Sequence, residues 1–325
     1  MSAKKYVSII ISSAVLFITA VYLLTLFLPE IRYMDEEYPY WIQQRDYITT
    51  KGTQQEILLL GDSRMKIGAL ATELGNNAYN LSLGGASPVE MYYTLKTYLA
   101  HRPLPKAVII GFAPTHYTQM YNSYTGRNLY FHYFDDETAE AVNRVIYEKD
   151  GKDFSAESKL YKYRLPNVYM KPVIKSIFKP RLKENRSLYE RTGKEKGRLF
   201  SHDDNKERKF VFTPESNDKG FKPLNSLTYY TEGLLQLCQE NAIPIYIEQL
   251  PMGNPGYQKL KDNGYFTDYK AYLKALYDKY PATIINYEVP LYEAQYFQDD
   301  SHLNIKGSKK FSRELKEKYP QVFGK

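Results

Sequence analysis

The chain has 325 residues, 43% hydrophobic and 25% charged, with 44 Lys and Arg against 37 Asp and Glu for a net charge of +7. These values exclude a disordered polypeptide and allow one large domain, or one domain with an insertion, around a sizeable core. The single cysteine, Cys238, excludes an internal disulfide, and the basic excess suits membrane surfaces or acidic polymers without any nucleic-acid recognition motif to accompany it.

The first predicted element is a helix. Lys4 and Lys5 precede an apolar run from about residue 6 to residue 29 that contains no charge. A helix needs roughly 20 such residues to cross a hydrocarbon core. No Ala-x-Ala cleavage site follows, so a retained signal anchor is expected rather than a cleaved signal peptide. Lysines lie before the run, and Glu30, Asp35, Glu36 and Glu37 lie after it. The positive-inside rule then predicts a cytoplasmic N-terminus and an extracytoplasmic remainder. Residues 1–30 are read as cytoplasmic tip and anchor, 31–55 as a connector that lifts the domain off the membrane, and 56–325 as the folded domain.

Strands are predicted at 57–60, 78–81, 107–111, 243–248 and 283–287, and helices at about 88–101, 227–241, 265–280 and 306–319. Short apolar runs alternating with helical stretches predict an α/β fold with a central parallel sheet covered on both faces. Ligands on such sheets bind beyond the carboxyl ends of the strands. Residues 115–223 break the pattern with aromatic clusters (Tyr117, Tyr121, Tyr124, Tyr130, Phe131, Tyr133, Phe134) and a basic stretch from 171 to 209. A loop of that length without structure is uncommon in a compact domain, so an insertion with its own helices is expected, serving as lid, substrate platform or docking surface. The 33 tyrosines, against 15 Phe, suit either surfaces that meet sugars and headgroups or ordinary core positions.

The chemistry concentrates at two distant places. The first strand runs into Gly61-Asp62-Ser63, and the chain closes with Asp299-Asp300-Ser301-His302-Leu303-Asn304. A serine hydroxyl needs a base to take its proton, and the base needs an acid to fix its tautomer. His302 suits the first role and Asp299 the second, because a turn lets a carboxylate three residues earlier fold back to Nδ1; Asp300 is the alternative acid. Backbone N–H groups where Ser63 starts a helix could hold an oxyanion. Asp62 is read as holding the turn.

Gly61-Asp62-Ser63 after a hydrophobic strand resembles the first block of the SGNH (GDSL-type) hydrolases, and Asp299-x-x-His302-Leu303-Asn304-x-x-Gly307-x-x-x-Phe311 closely resembles their last. Asn80-Leu81-Ser82-Leu83-Gly84-Gly85-Ala86-Ser87 looks like the second block. The resemblance implies a three-layer α/β fold, catalytic Ser63, Asp299 and His302, an oxyanion hole from Ser63 and Gly85 (Gly84 being the near alternative), and no metal or organic cofactor. It covers roughly 56–115 and 227–319, not the insertion.

The third block departs from the family. Its usual Gly-x-Asn-Asp is replaced by Gly111-Phe112-Ala113-Pro114, so the side-chain oxyanion donor is missing or supplied elsewhere, with Thr115 or His116 able to stand in. Losing one such donor can cost about 100- to 1,000-fold in rate. Glu248, after the fourth strand, either lines the site or only ends the strand. The departure resembles the membrane-anchored branch that acylates cell-surface polymers, as in polysaccharide O-acetylation and teichoic acid D-alanylation, beside a membrane-bound O-acyltransferase. The expectation is therefore an extracytoplasmic serine-dependent O-acyltransferase, acetyl being the favoured group, with a cell-envelope polymer as acceptor. An SGNH esterase acting on carbohydrate or lipid, and a non-catalytic scaffold that docks a polymer or assembly partner, are the alternatives.

Overall fold

The computed structural model describes residues 2–27, 33–75, 77–120, 124–163, 181–200, 204–212, 215, 218 and 220–324. Residues 28–30 of the expected anchor, 31–32 of the expected connector, Tyr121, and residues 171–180 and 201–203 of the expected basic stretch lie outside that set.

Helix α1 spans Ala3–Phe27, and none of its apolar stretch Ala3–Leu23, of mean hydropathy 2.2, is buried in the protein. At 1.5 Å per residue it is about 37 Å long, enough to cross a membrane. Helix α2 (Tyr38–Thr49) follows, and here the expected connector is corrected. Tyr38, Trp41 and Ile48 enter the main core, Trp41 at 1% exposure, and Gln43 donates to the Tyr79 hydroxyl at 2.8 Å. The segment reads as a polar tether because its glutamines sit among the aromatics; buried, each glutamine side chain finds a partner, Gln44 on the Leu81 carbonyl.

Five parallel strands form the central sheet. They are β1 (Ile57–Gly61), β2 (Ala78–Asn80), β3 (Ala107–Gly111), β4 (Ile245–Ile247) and, after a short β5 (Met252–Gly253), β6 (Ile284–Ile285). The order is β2-β1-β3-β4-β6, with Leu59 opposite both Asn80 and Ile109. Strand β7 (Leu291–Tyr292) pairs with β5 in a separate two-stranded sheet that the sequence patterns do not announce. Alternation along the strands divides the interior. Leu58, Leu60, Val108, Ile110, Ile245 and Ile247 face one core. Ile57, Leu59, Ala107, Ile109 and Tyr246 face the other. Burial on both sides is why these strands read as nearly continuous apolar runs.

The helices of the first half are α3 (Ser63–Gly68), α4 (Ala71–Leu74) and α5 (Pro88–His101), the last opened by a capping box between Ser87 and Glu90. Between β3 and the next sheet-covering helix lie α6 (Asp136–Asp150), α7 (Ser155–Lys162) and α8 (Leu182–Lys194), and α8 packs on α2. Tyr130, Phe131, Tyr133 and Phe134 of this segment are buried in the main core, Tyr133 meeting Trp41 edge-on with ring centroids 5.2 Å apart. Many tyrosines are therefore core residues. The remaining helices are α9 (Asn225–Glu240), α10 (Asn254–Asp262), α11 (Tyr265–Lys279), α12 (Ile305–Lys318) and α13 (Pro320–Phe323).

Two features shape the sheet edge at which Ser63 lies. The chain leaves β1 for β2 on one side, then recrosses to β3 on the other, which opens a crevice at the carboxyl ends of β1 and β3. Gly61 and Gly111 end those strands side by side, and a Cβ on Gly61 would collide with the Gly111 carbonyl and with Met65.

Candidate active site

Ser63 is the first residue of α3, and the turn that presents it is built by Asp62. The Asp62 carboxylate is fully buried and accepts from the backbone N–H of Arg64 (2.8 Å), Met65 (3.3 Å) and Ala113 (2.8 Å). It thus caps α3 and ties the end of β1 to the end of β3, leaving the neighbouring serine side chain at the crevice.

Asp299 and His302 reach the same crevice from the other end of the chain. Phe297 and Leu303 form an antiparallel bridge, and the His302 carbonyl accepts from the Gln298 N–H at 3.0 Å, which closes a tight loop between them. Phe297, Leu303 and Phe311 of α12 anchor that loop in the second core. His302 Nε2 lies 2.7 Å from Ser63 Oγ, and His302 Nδ1 lies 2.9 Å from Asp299 Oδ2. A carboxylate can only accept, so Nδ1 carries the proton and Nε2 accepts from the serine hydroxyl. The other carboxylate oxygen of Asp299 accepts from the N–H groups of Ser301 and His302, both at 2.7 Å. Partial burial pushes the Asp299 carboxyl up, but the His302 hydrogen bond and charge, with the two backbone donors, outweigh it and hold the group down at about 2. Asp300 points elsewhere and pairs with Arg208 at 3.1 Å.

A cavity of about 970 Å³ opens beside the serine, lined by Ser63, Gly84, Gly85, Thr115, His116 and His302 among others. Part of its wall comes from Glu36 and Glu37, which follow α1, and from Arg181 and Arg191 at the two ends of α8. Polar side chains hold the glycine loop on this cavity. Asn80 donates to the carbonyls of Met65 (3.0 Å) and Ala69 (2.8 Å) and accepts from the Ser82 N–H (3.0 Å). Lys66 Nζ donates to the Ser82 carbonyl at 2.7 Å. Gly85 has φ +68°, a left-handed conformation that glycine adopts without strain.

His116 lies at the cavity, but its ring is committed. Nδ1 donates to the Ala86 carbonyl at 2.6 Å, and Nε2 faces Asp62 Oδ2 at 3.2 Å. It links the turn that presents Ser63 to the glycine loop, a different job from the expected stand-in donor. Glu248 has two readings in the sequence, as lining the site or as only ending the strand. It does not line the cavity; its buried carboxylate accepts from Lys318 Nζ (2.8 Å), the Tyr319 hydroxyl (2.7 Å) and Asn286, pinning the end of α12. Alternation along β4 sends Glu248 to the side opposite Ile247, where that helix packs.

Sequence reasoning missed Lys66 and Arg127. A lysine one turn into a helix carries no signal of burial, and Arg127 sits in a short π-helical stretch, Tyr124–Leu129, far from either motif. No group of three or more His, Cys, Asp or Glu side chains stands close enough to hold a metal ion among the described residues. Compared with family models and with curated proteins, the chain matches none.

Proposed function

We propose that this chain is a membrane-anchored, SGNH-like serine O-acyltransferase of the cell envelope, with a three-layer α/β catalytic domain outside the cytoplasmic membrane and its N-terminus inside. The observation that carries the reading is the continuous Ser63–His302–Asp299 hydrogen-bond relay, opening on a cavity large enough for a donor and an acceptor group together.

Ser63 Oγ attacks the acyl carbonyl of a donor while His302 Nε2 takes its proton. The oxyanion that forms is met by the backbone N–H groups of Ser63 and Gly85. The donor's leaving group departs with the proton returned by His302, and an acyl-serine remains. A hydroxyl of the acceptor polymer enters, gives its proton to His302 and displaces Ser63, which is reprotonated as the new ester leaves. Asp299 holds the imidazole throughout.

Three observations favour transfer to a polymer. Glu36 lines the cavity only nine positions after the last residue of α1, a reach of at most about 30 Å. The site therefore stays near a donor handed over at the membrane, such as an acyl group from a membrane-bound O-acyltransferase, and tethering raises its effective concentration. The net charge of +7 suits an anionic envelope surface. The blocks around Ser63, Gly85 and His302 resemble those of SGNH enzymes, and the third block, without its Asn, suits a slow hydrolase better than a fast one.

The test is Ser63→Ala in cells that carry the acylated polymer. Acylation is expected to disappear, and a fluorophosphonate probe is expected to label wild type but not the variant. Unchanged polymer acylation in Ser63→Ala would falsify the catalytic role.

A further inference from the structure

The loop after β2 turns alternate carbonyls toward nitrogen donors from three separate elements. Ser82 O receives Lys66 Nζ at 2.7 Å, Gly84 O receives Arg127 Nη1 at 2.9 Å, and Ala86 O receives His116 Nδ1 at 2.6 Å. The middle contact bears directly on the chemistry. The Gly84 carbonyl and the Gly85 N–H belong to one peptide unit, and the chain contains no cis peptide among the described residues. In a trans peptide the two groups point in opposite directions. A guanidinium on the oxygen therefore fixes the direction of the N–H on the far side. It also draws electron density toward that oxygen, which makes the N–H a stronger donor.

Arg127 is itself held. Its other terminal nitrogen pairs with Glu37, and the second oxygen of Glu37 lies close to where a Cβ on Gly84 would stand, at 3.7 Å. Two adjacent glycines have no side chains to set the orientation of their shared peptide, so an outside group must do it. The usual side-chain oxyanion donor is absent from Ala113-Pro114-Thr115, and both ring nitrogens of His116 are engaged.

We propose that Arg127, braced by Glu37, is a positioning residue that orients and polarises the Gly84–Gly85 peptide as the oxyanion donor, compensating for the missing third-block side chain. The inference rests on the acyl-serine reading above. It also means that a residue just past the membrane anchor helps set the catalytic geometry.

The test uses the full chain in detergent with p-nitrophenyl acetate, an uncharged ester that offers Arg127 no ionic contact. Nitrophenolate release, the melting midpoint and fluorophosphonate labelling are followed for wild type, Arg127→Met, Arg127→Lys and Glu37→Gln. Removing a direct oxyanion donor costs about 100- to 1,000-fold, so loss of its support in Arg127→Met is expected to lower kcat by roughly 10- to 100-fold with KM within about twofold. Arg127→Lys should recover part of the loss, and Glu37→Gln should show a smaller fall in kcat of the same kind while keeping the wild-type fold. An active wild type matched in kcat by Arg127→Met and Glu37→Gln overturns this inference alone. So does a raised KM at unchanged kcat, which would make Arg127 a substrate contact. A wild type that neither releases nitrophenolate nor is labelled at Ser63 overturns the acyl-serine reading and this inference with it.

Discussion

Lys66 donates to the Ser82 carbonyl across 2.7 Å from a position with no solvent exposure, and no carboxylate pairs with it among the described residues. Gln44 Oε1, at 3.5 Å, is its other polar neighbour. The contact joins the helix that starts at Ser63 to the loop that carries Gly84 and Gly85, and it does so with a cation that the interior disfavours.

That cost makes stability depend on pH. Burial pulls the Lys66 ammonium down to about 7 from its ordinary 10.5. Below about 7 both folded and unfolded chains hold the proton and the penalty is present in full. Between 7 and 10.5 the unfolded chain holds it and the folded chain does not, so stability rises with pH. Relative to Lys66→Met, wild type should gain on the order of 2 kcal/mol between pH 7 and pH 9. Urea unfolding of both proteins at the two pH values measures the difference, and parallel pH profiles would show that the lysine is not buried as described.

The two neighbouring acids, Asp299 and Asp300, should behave very differently. Asp299→Asn replaces an acceptor-only carboxylate with an amide whose N–H can hold the wrong His302 tautomer, and should lower kcat by about 1,000- to 10,000-fold. Asp300→Asn breaks only a half-exposed pair with Arg208 and should leave kcat nearly unchanged. The Asp299 carboxyl, held down at about 2, contributes stability above the ordinary carboxylate range that is lost as pH falls through about 2. Acyl-transfer rates for the two variants decide the assignment; equal losses would remove Asp299 from its special place.

Helix α2 is expected to act as part of the folded domain. Trp41→Ala empties a site 1% exposed, between Phe131 and Tyr133, and should cost about 3–5 kcal/mol. Denaturant unfolding of the full chain checks this. A wild-type midpoint for Trp41→Ala would return residues 31–55 to the role of a connector.

The parallel sheet and the meeting of Asp299 with His302 are legible in the sequence because their signals are local. Parallel strands buried on both faces appear as unbroken apolar runs, so Ile57–Gly61 and Ala107–Gly111 stand out by composition. Asp299 and His302 fall within one turn, so a three-residue spacing suffices to suggest that they meet.

What the linear order could not decide were contacts between distant residues. The burial of Trp41, the commitment of Glu248 to Lys318 and Tyr319, and the bracing of the glycine loop by Lys66, His116 and Arg127 all depend on which elements pack together. A charged side chain looks the same in sequence whether it faces water or a buried carbonyl. Only packing removes the water, and only then does the side chain need a specific partner.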